Sequence, residues 1–221
     1  VFPETLDPVA AAPLILNYLV AYQCLHRVAK LKAGDTALVI GASGGVGTAF
    51  LELGRLAGVR LYGLASAPKH DLLREYGAIP IDYETRDFVT RLKQAEPGGI
   101  DAVFNGMAQQ YFARALKVLK RGGQLVHYGA PQGFWQLWWL VAMLLALNAW
   151  PNGKSVKGFG THRLGLAAMR EDWQSLFALL AEGRISPRIA ATFPLERVRE
   201  ANEMLESGSV AGNIVLEIGA V

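Results

Sequence analysis

Short apolar runs alternate with helical repeats along most of the chain. Runs typical of strands occur at 36–40, 60–65, 79–81, 101–106 and 124–129. Between them lie stretches with helical spacing at 45–57, 68–76, 85–94 and 111–120, each closed by a glycine or proline and long enough to cross over a parallel sheet. The alternation predicts an α/β fold with a doubly wound parallel sheet.

Further elements are predicted on both sides of this alternation. Residues 14–29 have the pattern of an apolar helix ahead of the first strand, and residues 154–158 that of a sixth strand. Toward the C-terminus, the pattern predicts helices at 171–182 and 195–206 and a strand at 213–218.

The junction between the first predicted strand and the first predicted helix reads GASGGVG, residues 41–47. At such a junction the backbone N–H groups of the first helical turn point outward, which favours phosphate. Gly44 and Gly47 coincide with the second and third glycines of the G-x-G-x-x-G dinucleotide fingerprint, whereas Ala42 stands at the first. An ordinary tight turn would also use glycine, but the strand before and the helix after favour dinucleotide binding.

The end of the second predicted strand carries no acid. In NAD-binding folds an Asp or Glu there holds the ribose 2′-hydroxyl, yet neither occurs between Leu53 and His70. Ser66, Lys69 and the start of the helix after Pro68 offer donors and positive charge for a 2′-phosphate instead. The alternative is that Ser66 only caps this helix and that Lys69 is a solvated surface charge. We predict that the cofactor is NADPH.

Composition and charge restrict the class of protein. A chain of 221 residues that is 52% apolar can bury a full core, and 22 Lys and Arg against 19 Asp and Glu, without a dense basic stripe, argue against nucleic acid as a partner. The single cysteine, Cys24, excludes an internal disulfide and suits a reducing compartment. The opening residues lack the pattern of a signal peptide, and we expect a cytoplasmic protein.

Residues 134–150 form an uncharged stretch that contains four of the five tryptophans. As a helix this stretch would extend about 26 Å, which is shorter than the roughly 30 Å hydrocarbon core of a membrane. Burial within the protein, a peripheral membrane contact and an apolar substrate channel all remain open.

Several segments together resemble the medium-chain dehydrogenase/reductase superfamily, in its zinc-independent quinone oxidoreductase-like branch. They read LNYLVAYQCL, LKAGDTALVIGASGGVG, YGAIPIDYETRDFV, RGGQLVHYGA and FPLERVREANEMLESGSVAGNIVLEI. The resemblance implies an NADP-binding Rossmann domain with a preceding linker helix at 1–160. It also implies a C-terminal tail at 161–221 that would complete a GroES-like barrel domain, which is missing here and provides much of the substrate site in the family.

The resemblance also implies a set of cofactor contacts. Gly44, Gly45 and Val46 would hold the pyrophosphate, Ser66, Lys69 and Tyr83 would surround the 2′-phosphate, and the ends of the fourth and fifth strands would line the ribose and nicotinamide. The complete implied set is Val20, Gly44, Gly45, Val46, Ser66, Lys69, Tyr83, Asn105, Gly106, Met107, Tyr128, Gly129 and Ala130.

The implied activity is hydride transfer from NADPH to a quinone or an α,β-unsaturated carbonyl, which is a small apolar electrophile. No zinc is expected, because Leu16 stands where the zinc-dependent alcohol dehydrogenases of the superfamily have a ligating cysteine. The catalytic residues remain unknown: Tyr22 and Tyr128 are candidate proton donors by chemistry only, and a packing role is the simpler interpretation.

Three departures from the superfamily pattern favour a second interpretation. Val20, Asn105 and Asn213 stand where many relatives have Thr, Asp and Lys. The alternative function is therefore a non-catalytic NADPH-binding module or a membrane-associated redox sensor. The resemblance further implies a homodimer that pairs the edge strands of two sheets.

Overall fold

A parallel six-stranded sheet forms the centre of the chain, as the alternation predicts. The computed structural model describes residues 6–84, 87–107, 109–129, 133–149, 151 and 153–219. The strand order is β3-β2-β1-β4-β5-β6. The strands are β1 Thr36–Ile40, β2 Arg60–Ala65, β3 Ile79–Asp82, β4 Ile100–Asn105, β5 Leu119–His127 and β6 Ser155–Gly158. Because the order reverses between β1 and β4, the crevice in which ligands bind in such sheets lies at the carboxyl ends of these two strands.

Helices cover both faces of the sheet. The helices between the strands are α3 Gly45–Leu56, α4 His70–Glu75, α5 Phe88–Ala95, α6 Phe112–Val118 and α7 Phe134–Ala149. On one face Phe50 of α3 packs in a core cluster with Phe104 of the sheet, and on the other Phe88 and Phe112 pack in a second cluster. The doubly wound α/β fold is therefore confirmed.

Apolar residues before β1 form a broken helical run and not one continuous helix. It comprises α1 Pro8–Ala11, a 3-10 turn, α2 Asn17–Tyr22 and a π-helical turn over Gln23–Ala29. The region Pro8–Ala29 passes as a membrane span by length and composition, but 56% of its apolar window is buried inside the protein. Its residues Tyr18 and Leu25 lie in the core cluster beneath α3, which is the environment of a core helix.

The C-terminal part consists of α8 Gly165–Ala181, β7 Ile189–Pro194, α9 Val198–Glu206 and β8 Asn213–Glu217. Strands β7 and β8 pair in parallel as a small second sheet. Helix α8 begins six residues before its predicted start, and Leu176 on it joins the core cluster of α2 and α3. The division of the chain at residue 160 stays a prediction.

Several predicted boundaries are wrong for local reasons. Helix α5 begins at Phe88, because Asp87 is its N-cap and accepts a hydrogen bond from the Val89 amide. The helix expected at 68–76 starts with a 3-10 turn over Ala67–Lys69, and α4 proper has only six residues. Strand β5 already begins at Leu119, where a helix was predicted to continue to residue 120.

Candidate functional site

The glycine-rich junction turns the chain from β1 into α3 at the crevice of the sheet. Gly41 has a φ of +79°, a backbone conformation that glycine adopts without strain. The Gly44 amide donates to the Gly41 carbonyl at 3.2 Å and closes the turn. Gly44 is the N-cap of α3 and has no side chain to cap the first-turn amides, so these amides are suited to a bound anion.

Close packing explains the glycine at position 47. A Cβ on Gly47 would lie 2.3 Å from the Gly41 oxygen and 2.6 Å from the Ala42 carbonyl carbon, so any side chain would separate α3 from the turn. A Cβ on Gly44 would meet only the Gly41 oxygen, at the ordinary distance of 3.7 Å. Gly47 therefore serves helix packing, whereas the openness at Gly44 leaves room for a ligand.

A cavity of about 440 Å³ opens beside this turn, at the carboxyl ends of β1, β2 and β4. Its volume falls in the range of small-molecule sites, and its position is where open α/β sheets bind ligands. It is lined by Ile40, Gly41, Ser43, Gly44, Gly45, Leu64, Ala65, Ser66, Lys69, Tyr83, Met107, Tyr111, Leu205, Gly208, Val210 and Gly212.

Ser66 and Lys69 lie together at the end of β2, on the wall of this cavity. Ser66 occupies an N-cap position, but its side chain makes no capping hydrogen bond. The Lys69 ammonium donates to the carbonyls of Gly208 at 2.6 Å and Val210 at 2.7 Å, and partial burial lowers the pKa of Lys69. Ser66 is therefore not a helix cap, and the ammonium of Lys69 is bound to the chain and is not simply solvated.

Tyr83 and Met107 contribute the more apolar wall. A Cβ on Gly41 would lie 3.3 Å from both Cγ and Sδ of Met107, which shows how closely this side chain covers the turn. Tyr83 follows β3 and is 48% exposed, and partial burial together with a hydrogen bond to Glu84 raises the pKa of its hydroxyl. Both side chains are placed where a flat ring could pack against them.

Asn105, predicted to line the cofactor, is fully buried and joins two loops. Its Oδ1 accepts from the Met107 amide at 2.9 Å, and its carbonyl accepts from Nδ1 of His127 at 2.9 Å and from the Tyr128 amide at 3.1 Å. Asn105 therefore fixes the ends of β4 and β5 relative to each other, and does not line the cavity.

Tyr128 covers Gly106 and packs against the core. A Cβ on Gly106 would lie 2.4 Å from Cε2 of Tyr128, and the Tyr128 ring is 5.4 Å from that of Phe50. Burial raises the pKa of the Tyr128 hydroxyl, which favours the packing interpretation over that of a proton donor. Val20 is likewise buried in the core cluster.

Only some of the thirteen residues predicted to contact the cofactor line the cavity. The cavity brings together Gly44, Gly45, Ser66, Lys69, Tyr83 and Met107. Outside its lining lie Val20, Val46, Asn105, Gly106, Tyr128 and Gly129. Ala130 is outside the described residues. Their roles in cofactor binding stay predictions.

The C-terminal part supplies a wall that the sequence did not reveal. Gly212 forms an isolated parallel bridge with Gly44, and its amide donates to the Ser43 carbonyl at 2.9 Å. Next to it, Oδ1 of Asn213 accepts from Nδ2 of Asn17 at 2.6 Å, and a Cβ on Gly45 would collide with both amide groups. The start of α3 is thus enclosed by residues from both ends of the chain.

The described residues contain no group of three or more His, Cys, Asp or Glu side chains that could hold a metal ion. Cys24 is buried, and burial raises the pKa of its thiol, so the thiol stays protonated near neutral pH. Leu16, at the position compared with the zinc ligand, is 58% exposed. Independence from zinc remains a prediction.

Comparisons with known proteins agree with this geometry. Residues 77–216 match the model of a family described as zinc-binding dehydrogenase. The mouse synaptic vesicle membrane protein VAT-1 homolog is 32% identical over 98% of this chain. Among solved structures, human VAT-1 homolog-like protein is 25% identical with a TM-score of 0.79, covering 99% of this chain and 64% of its own.

Two further solved structures are similar. The quinone oxidoreductase from Coxiella burnetii is 25% identical with a TM-score of 0.79, and the match covers 98% of this chain and 62% of that one. CurK enoyl reductase, at 23% identity and a TM-score of 0.82 over 98% of this chain and 64% of its own, shares the fold. The chain spans 57% of the length of the mouse relative.

Proposed function

This chain belongs to the zinc-binding dehydrogenase family of the medium-chain dehydrogenase/reductase superfamily, and from that premise we propose that it binds NADPH in the cavity beside the glycine turn. The family implies a nicotinamide cofactor. The observation that carries the proposal is the convergence of the turn, Ser66 and Lys69 on one cavity at the switch point of the sheet.

The residues present fit both the pyrophosphate and the 2′-phosphate of such a cofactor. The uncapped first turn of α3 presents amides to the pyrophosphate, and glycine at 44 lets the phosphate approach the backbone. Ser66 offers a hydroxyl at the end of β2, and the ammonium of Lys69 adds charge for the 2′-phosphate. No acid stands at this strand end to favour the free 2′-hydroxyl of NADH.

The proposed reaction is reduction of a quinone or an α,β-unsaturated carbonyl, without zinc. When bound, the dihydronicotinamide supplies the hydride. This chain's own contribution would be to bind and orient the cofactor: Lys69 and the α3 amides would hold its phosphates, and Met107 and Tyr111, which line the cavity, would pack beside it. A relative of similar fold bears the name quinone oxidoreductase, which supports this substrate class.

One observation favours the alternative, a non-catalytic NADPH-binding module or membrane-associated redox sensor. Helix α7 exposes Trp135 by 83% and both Trp138 and Trp139 by 56%. Such a face is suited to an apolar partner. The names of VAT-1 homologs include the words synaptic vesicle membrane protein, which makes a membrane partner worth testing.

For this face we favour a second copy of the chain as the partner. Strand β6, at the edge of the sheet, follows α7, so pairing of two β6 strands would extend the sheet and bring the two α7 helices together. A small apolar electrophile remains the proposed substrate, nucleic acid is not proposed as a partner, and the cytoplasm is the proposed location.

The proposal is tested by titrating the chain with NADPH and NADH in a calorimeter and by following NADPH oxidation at 340 nm. The acceptors are a panel of quinones and enones, each with and without a chelator. Binding of NADPH with activity that survives chelation supports the enzyme. Binding without turnover by a protein carrying the full length of its relatives supports the non-catalytic module, and absence of NADPH binding overturns both.

A further inference from the structure

A second, more open cavity of about 600 Å³ adjoins the first. Three residues line both cavities, namely Ser66, Lys69 and Gly208, so the two spaces meet at the end of β2. The second cavity is also lined by Arg188, by the carboxylates of Asp71 and Glu75, and by Ser207 and Ser209. In Rossmann folds the residues at this strand end face the ribose 2′ position, so a 2′ substituent would point from the first cavity toward the second.

Arg188 reaches this second cavity from the C-terminal part of the chain. Its backbone is fixed, because its carbonyl accepts hydrogen bonds from the Asn213 amide at 2.9 Å and from Nδ2 of Asn213 at 3.0 Å. A Cβ on Gly212 would lie 3.0 Å from Cγ of Arg188, so the base of the side chain is packed against the start of β8. The guanidinium therefore extends from a rigid support.

The guanidinium itself is held loosely. Its Nη1 is 3.5 Å from Oε2 of Glu75, which is long for a hydrogen bond, and both side chains are about half exposed. An ion pair of this kind contributes little, so a phosphate dianion could compete with the carboxylate for Arg188. Lys69 stands at the junction with one N–H of its ammonium left after its two tail contacts.

Hydroxyl groups complete the wall opposite α4. The hydroxyls of Ser207 and Ser209 are 2.7 Å apart, and the Ser209 amide donates to Oγ of Ser207. Lys69 fastens this same loop through Gly208. The Ser207 hydroxyl donates to the Met204 carbonyl, so the Ser209 hydroxyl donates to Ser207 and the loop is closed by its own contacts. The subsite thus contains two cations, Lys69 and Arg188, beside the carboxylates of Asp71 and Glu75.

We propose, resting on the proposed function, that Arg188 is a specificity-determining residue that binds the 2′-phosphate of NADPH together with Lys69 and the 207–209 loop. Glu75 is the built-in competitor for the same guanidinium. The C-terminal part of the chain therefore contributes to the choice between NADPH and NADH, which the sequence analysis assigned to Ser66, Lys69 and Tyr83.

The test compares Arg188→Gln, Glu75→Gln and the control Arg184→Gln by calorimetric titration with NADPH and NADH. Arg184 pairs with Glu182 at the same 3.5 Å and with similar exposure, but lines neither cavity. Arg188→Gln is expected to weaken NADPH about tenfold and NADH less than twofold. Glu75→Gln is expected to tighten NADPH about threefold, because the competing carboxylate is gone.

The opposite signs of the two variants separate this proposal from general damage to the fold, which weakens binding in both. If the unsubstituted chain binds neither nucleotide, the proposed function itself fails. If it prefers NADPH while Arg188→Gln and Arg184→Gln behave alike, the proposed function stands and the role of Arg188 is overturned. Equal losses of NADPH and NADH in Arg188→Gln would also overturn it.

Discussion

The ammonium of Lys69 donates a 2.6 Å hydrogen bond to the carbonyl of Gly208, which lies 139 residues further along the chain. A second bond, to the Val210 carbonyl, makes the contact a two-point attachment. The N–H groups of Lys69 therefore hold the C-terminal wall of the cavity in place, and in the proposed complex its charge would also face the 2′-phosphate.

Lys69→Met should weaken NADPH binding by tenfold or more and NADH binding by less than about threefold, because a charge-assisted contact to phosphate is lost. Titration with both cofactors measures the difference. Limited proteolysis should also cut more readily within 207–211, since the loop loses its attachment. Lys93→Met, at an exposed position on α5 that lines neither cavity, is the matched control. Equal losses for NADPH and NADH would contradict the 2′-phosphate assignment.

The strands and the glycine turn could be predicted because their signals are local. Strands β1 and β2 match their predicted bounds, since the burial of one unbroken apolar run on both faces leaves little choice of register. Strand β7 was not predicted, because its sequence IAATFP lacks the strong apolar pattern of a buried strand. Its residues are indeed only partly buried or exposed.

The walls of the site could not be predicted, because they depend on contacts between distant parts of the chain. No local pattern pairs Asn17 with Asn213, which are 196 residues apart. The side chain of Asn105 accepts from the Met107 amide, a contact that no local pattern indicates, and its role toward the cofactor stays a prediction.

The two fingerprint glycines should respond differently to alanine. Gly44→Ala should keep its melting temperature within about 3 °C, because the added Cβ has an ordinary contact, yet lose tenfold or more in affinity for both NADPH and NADH as the methyl group blocks the phosphate. Gly47→Ala should lose about 2 kcal/mol or more of stability, because backbone atoms lie 2.3 and 2.6 Å from its Cβ.

Thermal melts and cofactor titrations on the same samples measure both effects of the glycine pair. Gly98→Ala is the control, since its Cβ would meet nothing within 4 Å. A Gly44→Ala variant that binds both cofactors normally would show that phosphate does not approach the turn at this position.

The exposed face of α7 should cause self-association that survives high salt, because apolar contacts are not screened. The double variant Trp135→Ser with Trp139→Ser should weaken the association at least tenfold in sedimentation experiments. Leu166→Ser, at a position on α8 that is 73% exposed, is the control for loss of an exposed apolar side chain. A monomer at micromolar concentration that binds liposomes would instead support the membrane-associated alternative.

The buried imidazole of His127 should make stability fall below neutral pH. Burial lowers the pKa of His127 below the 6.5 of a free imidazole, so the fold favours its neutral form. The contribution of His127 to stability is therefore complete above pH 6.5 and is lost as the pH falls through its folded-state pKa. The free energy of unfolding, measured with urea, should be lower at pH 5 than at pH 7.5. Asp87, whose pKa Arg114 lowers to about 2, titrates below this window and does not contribute.

His127→Gln should reduce the difference in unfolding free energy between the two pH values while lowering stability at pH 7.5, because the hydrogen bond to Asn105 is disturbed. A free energy of unfolding that is constant or rises between pH 7.5 and pH 5 would show that the imidazole of His127 is not held neutral by the fold.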